Sequence, residues 1–382
     1  MSKNITNANS FIRLPAHIAY AQSLNAQISI NLSHSCAQTM NLAEVIALSS
    51  KNLNSLSLDY APIHGSEQLR SAICNYYQRY NQEFPTLTAN DVLTFCGGQE
   101  ALAAIYQSIL VPEDEVIVCS PCYPSLITMA EQYGCLVRVV ELNEANDWQL
   151  NLDEIAALMS SKTKLLVLNS PHNPTGSIID NECSEKILNL AKQHQCYLLA
   201  DEVAQASNYF QQSMQNNYMH YEKAISVGVM SKSLGLAGIR IGWVVTKNKK
   251  WLTQLTAIKA SGSICISAID QALAIPVLAH CDTIITKNND LILQNIMKVD
   301  EFITDYNHLF QWVKPKAGML ALVRFTGEEG VEMLSQTLAN EYGVLILPSY
   351  LFGLSGNYFR LGLGQQNLIE GLELLKKYCE NR

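Results

Sequence analysis

Three short apolar runs in the middle of the chain each break off into a polar residue, and this repetition constrains the fold more than any other feature. Lys164-Leu165-Leu166-Val167-Leu168 runs into Asn169-Ser170-Pro171-His172-Asn173-Pro174-Thr175-Gly176. Cys196-Tyr197-Leu198-Leu199-Ala200 runs into Asp201-Glu202, and Ala224-Ile225-Ser226-Val227-Gly228-Val229-Met230 into Ser231-Lys232. Runs of this length read as strands buried on both faces. In open parallel sheets ligands bind at the carboxyl ends of the strands. An amide, a carboxylate and an amine are therefore expected in one cleft.

The flanking chain supports this reading. From about Asp91 to Gly242 short β runs alternate with amphipathic stretches. Val92–Cys96, Glu115–Cys119 and Cys135–Val140 read as strands; Gln99–Leu110, stopped by Pro112, and Ser125–Gln132 read as helices. Asp180 can cap a helix reaching His194, with Ile187, Leu188, Leu190 and Ala191 on its apolar side. The pattern predicts an α/β fold with a mostly parallel sheet covered on both faces. After about His280 the rhythm changes. A long helix is expected from about Asn288 to Asn307, then an antiparallel strand over Gly318–Phe325.

Composition narrows the function. The 382 residues suffice for two domains and a large core, and 48% are apolar against 16% charged. A net charge of −8 without any basic cluster argues against nucleic-acid and anionic-membrane partners. The first ten residues, Met1 to Ser10, lack the apolar core of a secretory signal, and no apolar stretch approaches a bilayer span. The eleven cysteines are scattered through apolar segments and read as reduced core residues of a cytoplasmic protein. Cys119-Ser120-Pro121-Cys122 has redox-motif spacing, but a structural role is the expectation. The eight histidines show no paired ligand spacing, so no metal is expected.

Asn173-Pro174-Thr175-Gly176, then Asp201-Glu202, then Ser231-Lys232 followed by Gly238-Ile239-Arg240, resembles the class I/II aminotransferases of the fold-type I pyridoxal-phosphate (PLP) enzymes. The resemblance runs from about Asn31 to Gly364. It implies a large PLP-binding domain over residues 41–285. A small α+β domain over 286–382 would pack with an N-terminal segment, residues 1–40, that also lines the active-site entrance. It also implies a homodimer with active sites at the subunit interface.

Site residues follow from the same resemblance. Lys232 would hold the cofactor as a Schiff base and serve as the base that moves the substrate's α-proton. Asp201 would face the ring nitrogen, and Asn173 would donate to the phenolic oxygen, with a cis bond to Pro174. Phosphate binding is expected at Gly98 and Gln99, where a Gly97-Gly98 pair opens a helix, with Arg240, eight positions past Lys232 (240 − 232), pairing as a bidentate fork; Ser231 is also expected to bind the cofactor. Tyr123 matches the aromatic that stacks on the ring. Tyr60, in the segment that continues to Gly65, matches the tyrosine that reaches the neighbouring subunit's phosphate. Arg360 matches the arginine that grips the substrate's α-carboxylate, beside Asn173.

The chain departs from the family pattern at three positions. Ala204 stands where a tyrosine usually gives the phenolic oxygen a second hydrogen bond, with Gln205 a possible substitute donor. Val229 replaces a phosphate-holding serine or threonine, and Ser349 replaces a glycine after Pro348. The implied activity is transfer of an amino group from an L-amino acid to a 2-oxo acid. A second reading is another PLP reaction on the same scaffold, namely β-elimination, cyclisation or oxidation. A third is a PLP-binding protein without turnover. His34, in the entrance segment, could bind an acidic group of the substrate but reads first as a solvent-facing loop histidine.

Overall fold

Why the central runs are apolar on both faces is plain from the sheet they form. The computed structural model describes residues 14–24, 27–49, 53–80, 86–211 and 217–381. The first thirteen residues, which include the stretch read for a leader, lie outside it. In chain order the strands are β1 (Ile30–Asn31), β2 (Val92–Phe95), β3 (Glu115–Ser120), β4 (Leu136–Glu141), β5 (Thr163–Asn169), β6 (Tyr197–Asp201) and β7 (Ala224–Val229). They continue with β8 (Gly242–Val245), β9 (Phe310–Trp312), β10 (Leu320–Phe325), β11 (Val344–Leu345), β12 (Leu347–Pro348) and β13 (Tyr358–Gly362).

The large sheet has seven strands in the order β2-β8-β7-β6-β5-β3-β4. Only β8 runs against its neighbours; the other pairings are parallel. Alternate side chains leave opposite faces of a strand. Leu166, Leu168, Leu198 and Ala200 enter one core, and Leu165, Val167 and Leu199 enter the other. Helices on both faces cover these cores, so neither face of β5, β6 or β7 meets water.

Helix boundaries follow local chemistry. Asp180 Oδ1 accepts from the Cys183 amide at 2.8 Å and starts the helix Asn181–Gln193. The long helix expected from Asn288 begins instead at Cys281 and spans 25 residues to Asp305. The polar run Lys287-Asn288-Asn289-Asp290 hides the continuity, because Cys281, Ile284 and Ile285 extend the buried stripe towards the N-terminus. It meets the preceding helix, Ala268–Ala279, at a 76° bend, and among the described residues no single helix is long and apolar enough to cross a membrane.

A second, smaller sheet follows, antiparallel, in the order β12-β13-β10-β9. β1 pairs in parallel with β11, so residues near 30 and 345 share one core with Ile292, Ile296, Phe310, Phe325 and Phe359. The helix Cys281–Asp305 belongs to both regions. Its first turns pack in the large-sheet core, and Ile292, Ile296, Val299 and Phe302 pack in the small one. The small sheet and β1 are thereby held over the carboxyl ends of β5, β6 and β7.

Candidate active site

Asn169 and Asp201 are the last residues of β5 and β6 and sit opposite each other in register. Lys232 follows the end of β7 by three residues. Between the two sheets these ends enclose a cavity of about 240 Å³ lined by Gly98, Gln99, Tyr123, Asn173, Asp201, Ser231, Lys232 and Arg240, among others. Arg360, on β13, lies at its edge, where Nη1 approaches Asn173 Oδ1 at 3.4 Å. Eight predicted residues therefore line one cavity, with Arg360 beside it. Tyr60 does not join them. It is 80% exposed and lines a separate depression with Asp59, Ala268 and Gln271.

Asp201 is buried, and among the described residues one donor reaches its carboxyl, the Val203 amide at 3.4 Å from Oδ1. Burial pushes its carboxyl up to about 6, against the pull of that amide and of Lys232. A carboxylate so poorly paired is costly unless a cationic or N–H partner arrives. The neighbouring Glu202 is also buried, faces Ser226, and is pushed by desolvation to about 8.

Lys232 Nζ lies 2.8 Å from Ser35 Oγ. Burial lowers its affinity for a proton, and Arg360 adds to this, while Cys36 and Asp201 oppose it. An amine so placed is more easily deprotonated than a surface lysine.

Asn173 is held by Asn169, which sequence reasoning overlooked. The Asn169 Oδ1 accepts from the Asn173 amide at 2.7 Å, and its Nδ2 donates to the Asp201 carbonyl at 3.0 Å. One side chain thus joins two strand ends. The Asn173–Pro174 bond is cis, as the motif predicts.

The anion cradle is defined by what is missing from it. Gly97 has φ +89°, and a Cβ there would sit 2.5 Å from Arg240 Nη2; one on Gly98 would sit 2.7 Å from Val229 Cγ1. No side chain caps the helix Gly98–Ile109, so its first amides and the Arg240 guanidinium face the same space. Arg240 is steadied by its Nη1, which donates to the Ala237 carbonyl at 2.8 Å. Gln99 donates to Ser125 Oγ at 3.0 Å and accepts from the Tyr123 hydroxyl at 3.2 Å, which orients the tyrosine.

Arg360 is buried and, among the described residues, forms no ion pair. Its Nη2 donates to the Ser33 carbonyl at 2.9 Å, its Nε has no partner, and it stands 4.6 Å over the Phe352 ring. Desolvation lowers its pKa to about 10. A buried guanidinium with donors to spare suits an incoming carboxylate.

Two histidines add to the cavity region. The ring of His17, on the helix Ala16–Ser23, lies 6.0 Å from that of Phe352 and 5.7 Å from that of Tyr123, centroid to centroid. Burial, Arg360 and Lys232 depress it to about 4. No local pattern marks it, since its partners lie far along the chain. His34 is half-buried with its Nδ1 enclosed and unpartnered, not a solvent-facing loop histidine. Its segment is pinned under β13, which its position in the chain does not reveal.

Ala204 lines the cavity, while Gln205 is not among the residues that line it. Cys119 and Cys122 are buried free thiols, and burial pushes Cys119 up to about 12, away from reactivity.

Residues 28–372 match the family model described as aminotransferase class I and II. Capreomycidine synthase from Streptomyces vinaceus is 28% identical over 332 residues, covering 86% of this chain and 83% of that protein. Aspartate aminotransferase from Thermotoga maritima is 26% identical over 330 residues, covering 85% and 84%. The solved structure of a PLP-dependent aminotransferase from Streptococcus suis superposes with a TM-score of 0.88 at 25% identity, covering 97% of this chain and 98% of that one. Strand order, cleft and whole-length similarity agree: this chain belongs to the class I and II aminotransferases, a family of pyridoxal-phosphate-dependent enzymes.

Proposed function

We propose that this chain is an aminotransferase that moves the amino group of an L-amino acid to a 2-oxo acid, with Lys232 as the covalent anchor of the cofactor and as the base. The observation that carries this reading is a half-buried, easily deprotonated amine sharing one cavity with the acid Asp201, beside the guanidinium of Arg360, with neither Asp201 nor Arg360 in an ion pair among the described residues.

The cleft fits pyridoxal phosphate. The glycine-walled cradle would take the phosphate through the Gly98 and Gln99 amides, Ser231 and Arg240. Asp201 would meet the ring nitrogen, Asn173 the phenolic oxygen and Tyr123 the ring face. When bound, the cofactor supplies an electron sink for the carbanion that forms when an amino acid loses its α-proton. The chain's own contribution is placement. Arg360 would hold the α-carboxylate by two parallel hydrogen bonds and so turn the Cα–H towards Lys232. Lys232 Nζ would carry the proton between donor and acceptor atoms.

The active unit in this reading is a cytoplasmic homodimer. Tyr60, exposed on its own subunit, would complete the phosphate site of the second copy.

Transamination and cyclisation or elimination begin with the same proton removal. Two features support the second reading: Ala204 in place of the usual tyrosine, and the similarity to capreomycidine synthase. Purified protein given a panel of amino acids separates the readings. Transamination yields a 2-oxo acid and converts the cofactor to its amine form, and turnover then requires an added 2-oxo acid. Release of pyruvate with ammonia, or of a cyclised product, without an acceptor would replace it with the second reading. An unchanged spectrum throughout would leave a binding protein.

A further inference from the structure

One short run of chain, Ser33 to Gln38, touches both reactive side chains of the cleft. The Ser33 carbonyl accepts from Arg360 Nη2 at 2.9 Å, and the Ser33 hydroxyl donates to the Arg360 carbonyl. Two residues on, Ser35 Oγ lies 2.8 Å from Lys232 Nζ.

This run is fixed along its length. The Leu347 amide donates to Ser33 Oγ at 2.9 Å, and the Ala37 amide donates to the Lys232 carbonyl at 3.1 Å. Gln365 Nε2 donates to the carbonyls of Cys36 and Ala37 at 2.8 and 2.9 Å. The His34 carbonyl packs so tightly on Gly362 that a Cβ there would approach it to 2.1 Å. The run therefore holds a set distance between the small sheet and the Lys232 loop.

Resting on the reading of Lys232 as the reactive amine, we propose that Ser35 is the positioning residue of that amine. Its hydroxyl holds Nζ in line with Arg360, so one strap sets both the anchor of the substrate carboxylate and the group that moves the α-proton. A hydroxyl can pair with the amine in both protonation states, but it accepts from an ammonium more strongly than it donates to a neutral amine. A carboxylate would fix the lysine in its charged form, and an apolar side chain would leave the amine unpaired in a partly dry site. The other groups acting on Nζ are Asp201, Arg360 and Cys36, and Lys232 and Arg360 in turn act on His17 and His34. None of them is altered by changing Ser35.

The test uses the full-length protein in two states. Stripped of cofactor, it is reductively methylated across a pH series, and the Lys232 peptide is quantified by mass spectrometry. Ser35→Ala removes the acceptor that favours the ammonium, so the labelling midpoint should fall by about one unit, while Ser35→Thr keeps the wild-type midpoint. Loaded with cofactor, Ser35→Ala should lose roughly 10- to 100-fold in kcat with little change in KM, and Ser35→Thr should restore most of it. A midpoint or a kcat unmoved in Ser35→Ala overturns the proposal, as does a threonine variant as poor as the alanine one. If borohydride reduction leaves no pyridoxyl group on Lys232 of the wild type, the parent reading falls with it. If it does and Ser35→Ala is silent, only the role of Ser35 falls.

Discussion

The two walls of the cleft are built in different ways. The wall proposed to hold the cofactor comes from adjacent strands of one sheet: Asn169 and Asp201 are register partners, and Lys232 follows the next strand over. The wall proposed to hold the substrate is gathered from three distant segments, namely the helix bearing His17, the strap of Ser33 and Ser35, and the stretch from Phe352 to Arg360. Its contacts span as many as 335 positions of chain (352 − 17). A wall made of strand ends is set by hydrogen-bond register and is hard to move. A wall made of remote segments depends on how the small sheet is packed, so it is the place where substrate choice can change without loss of the cofactor site.

Substitutions should separate the walls, and the largest effect belongs to the point where they meet. Lys232→Ala should retain cofactor only noncovalently and lose more than about 1,000-fold in kcat, measured under saturating substrate. Near-normal turnover in that variant would remove the division into walls altogether. Arg360→Ala belongs wholly to the substrate wall. It should lower kcat/KM by about 100-fold while the cofactor's absorbance and content stay as in the wild type. A variant that lost cofactor instead would show the two walls to be one.

Asp201→Asn tests the cofactor wall through stability. The folded chain holds the Asp201 proton up to about 6, whereas the ordinary value is 3.8. Stability from this group is therefore complete below about pH 4 and is lost as pH rises through 6. Cofactor-free Asp201→Asn should then melt above the wild type at pH 8 and with it near pH 4, while binding cofactor more weakly. Equal melting at both pH values would show that Asp201 is not a strained acid. The smallest effect is expected at Ala204→Tyr. A restored hydroxyl donor should lower the pH midpoint of the bound cofactor's absorbance change by about one unit, read by spectrophotometric titration.

The same contrast explains what could be read from the chain. Strands β2 to β7 fall within a residue or two of their expected limits because their signal is local: apolar runs bounded by turn residues. The residues proposed for the cofactor wall carry local marks for the same reason, since Asn173, Asp201 and Lys232 each follow such a run. Among those proposed for the substrate wall only Arg360 carries a motif. His17 and Ser35 carry no local mark, because what places them is tertiary packing against Phe352 and the Lys232 loop. Asn169 was passed over because its role is to join two strands, which a single run cannot show. The helix from Cys281 was started too late because four polar residues interrupt its stripe, and the two-residue strands β11 and β12 are too short to carry a period.

The central claim is that one ε-amine, at the end of β7, anchors the cofactor between the walls. Reduction of the purified holoprotein with borohydride, followed by digestion and peptide mass analysis, addresses it directly. A pyridoxyl group on Lys232, and on no other lysine in stoichiometric amount, is the predicted result. A label elsewhere, such as on the buried Lys259, or no label on a protein that binds the cofactor, would contradict it.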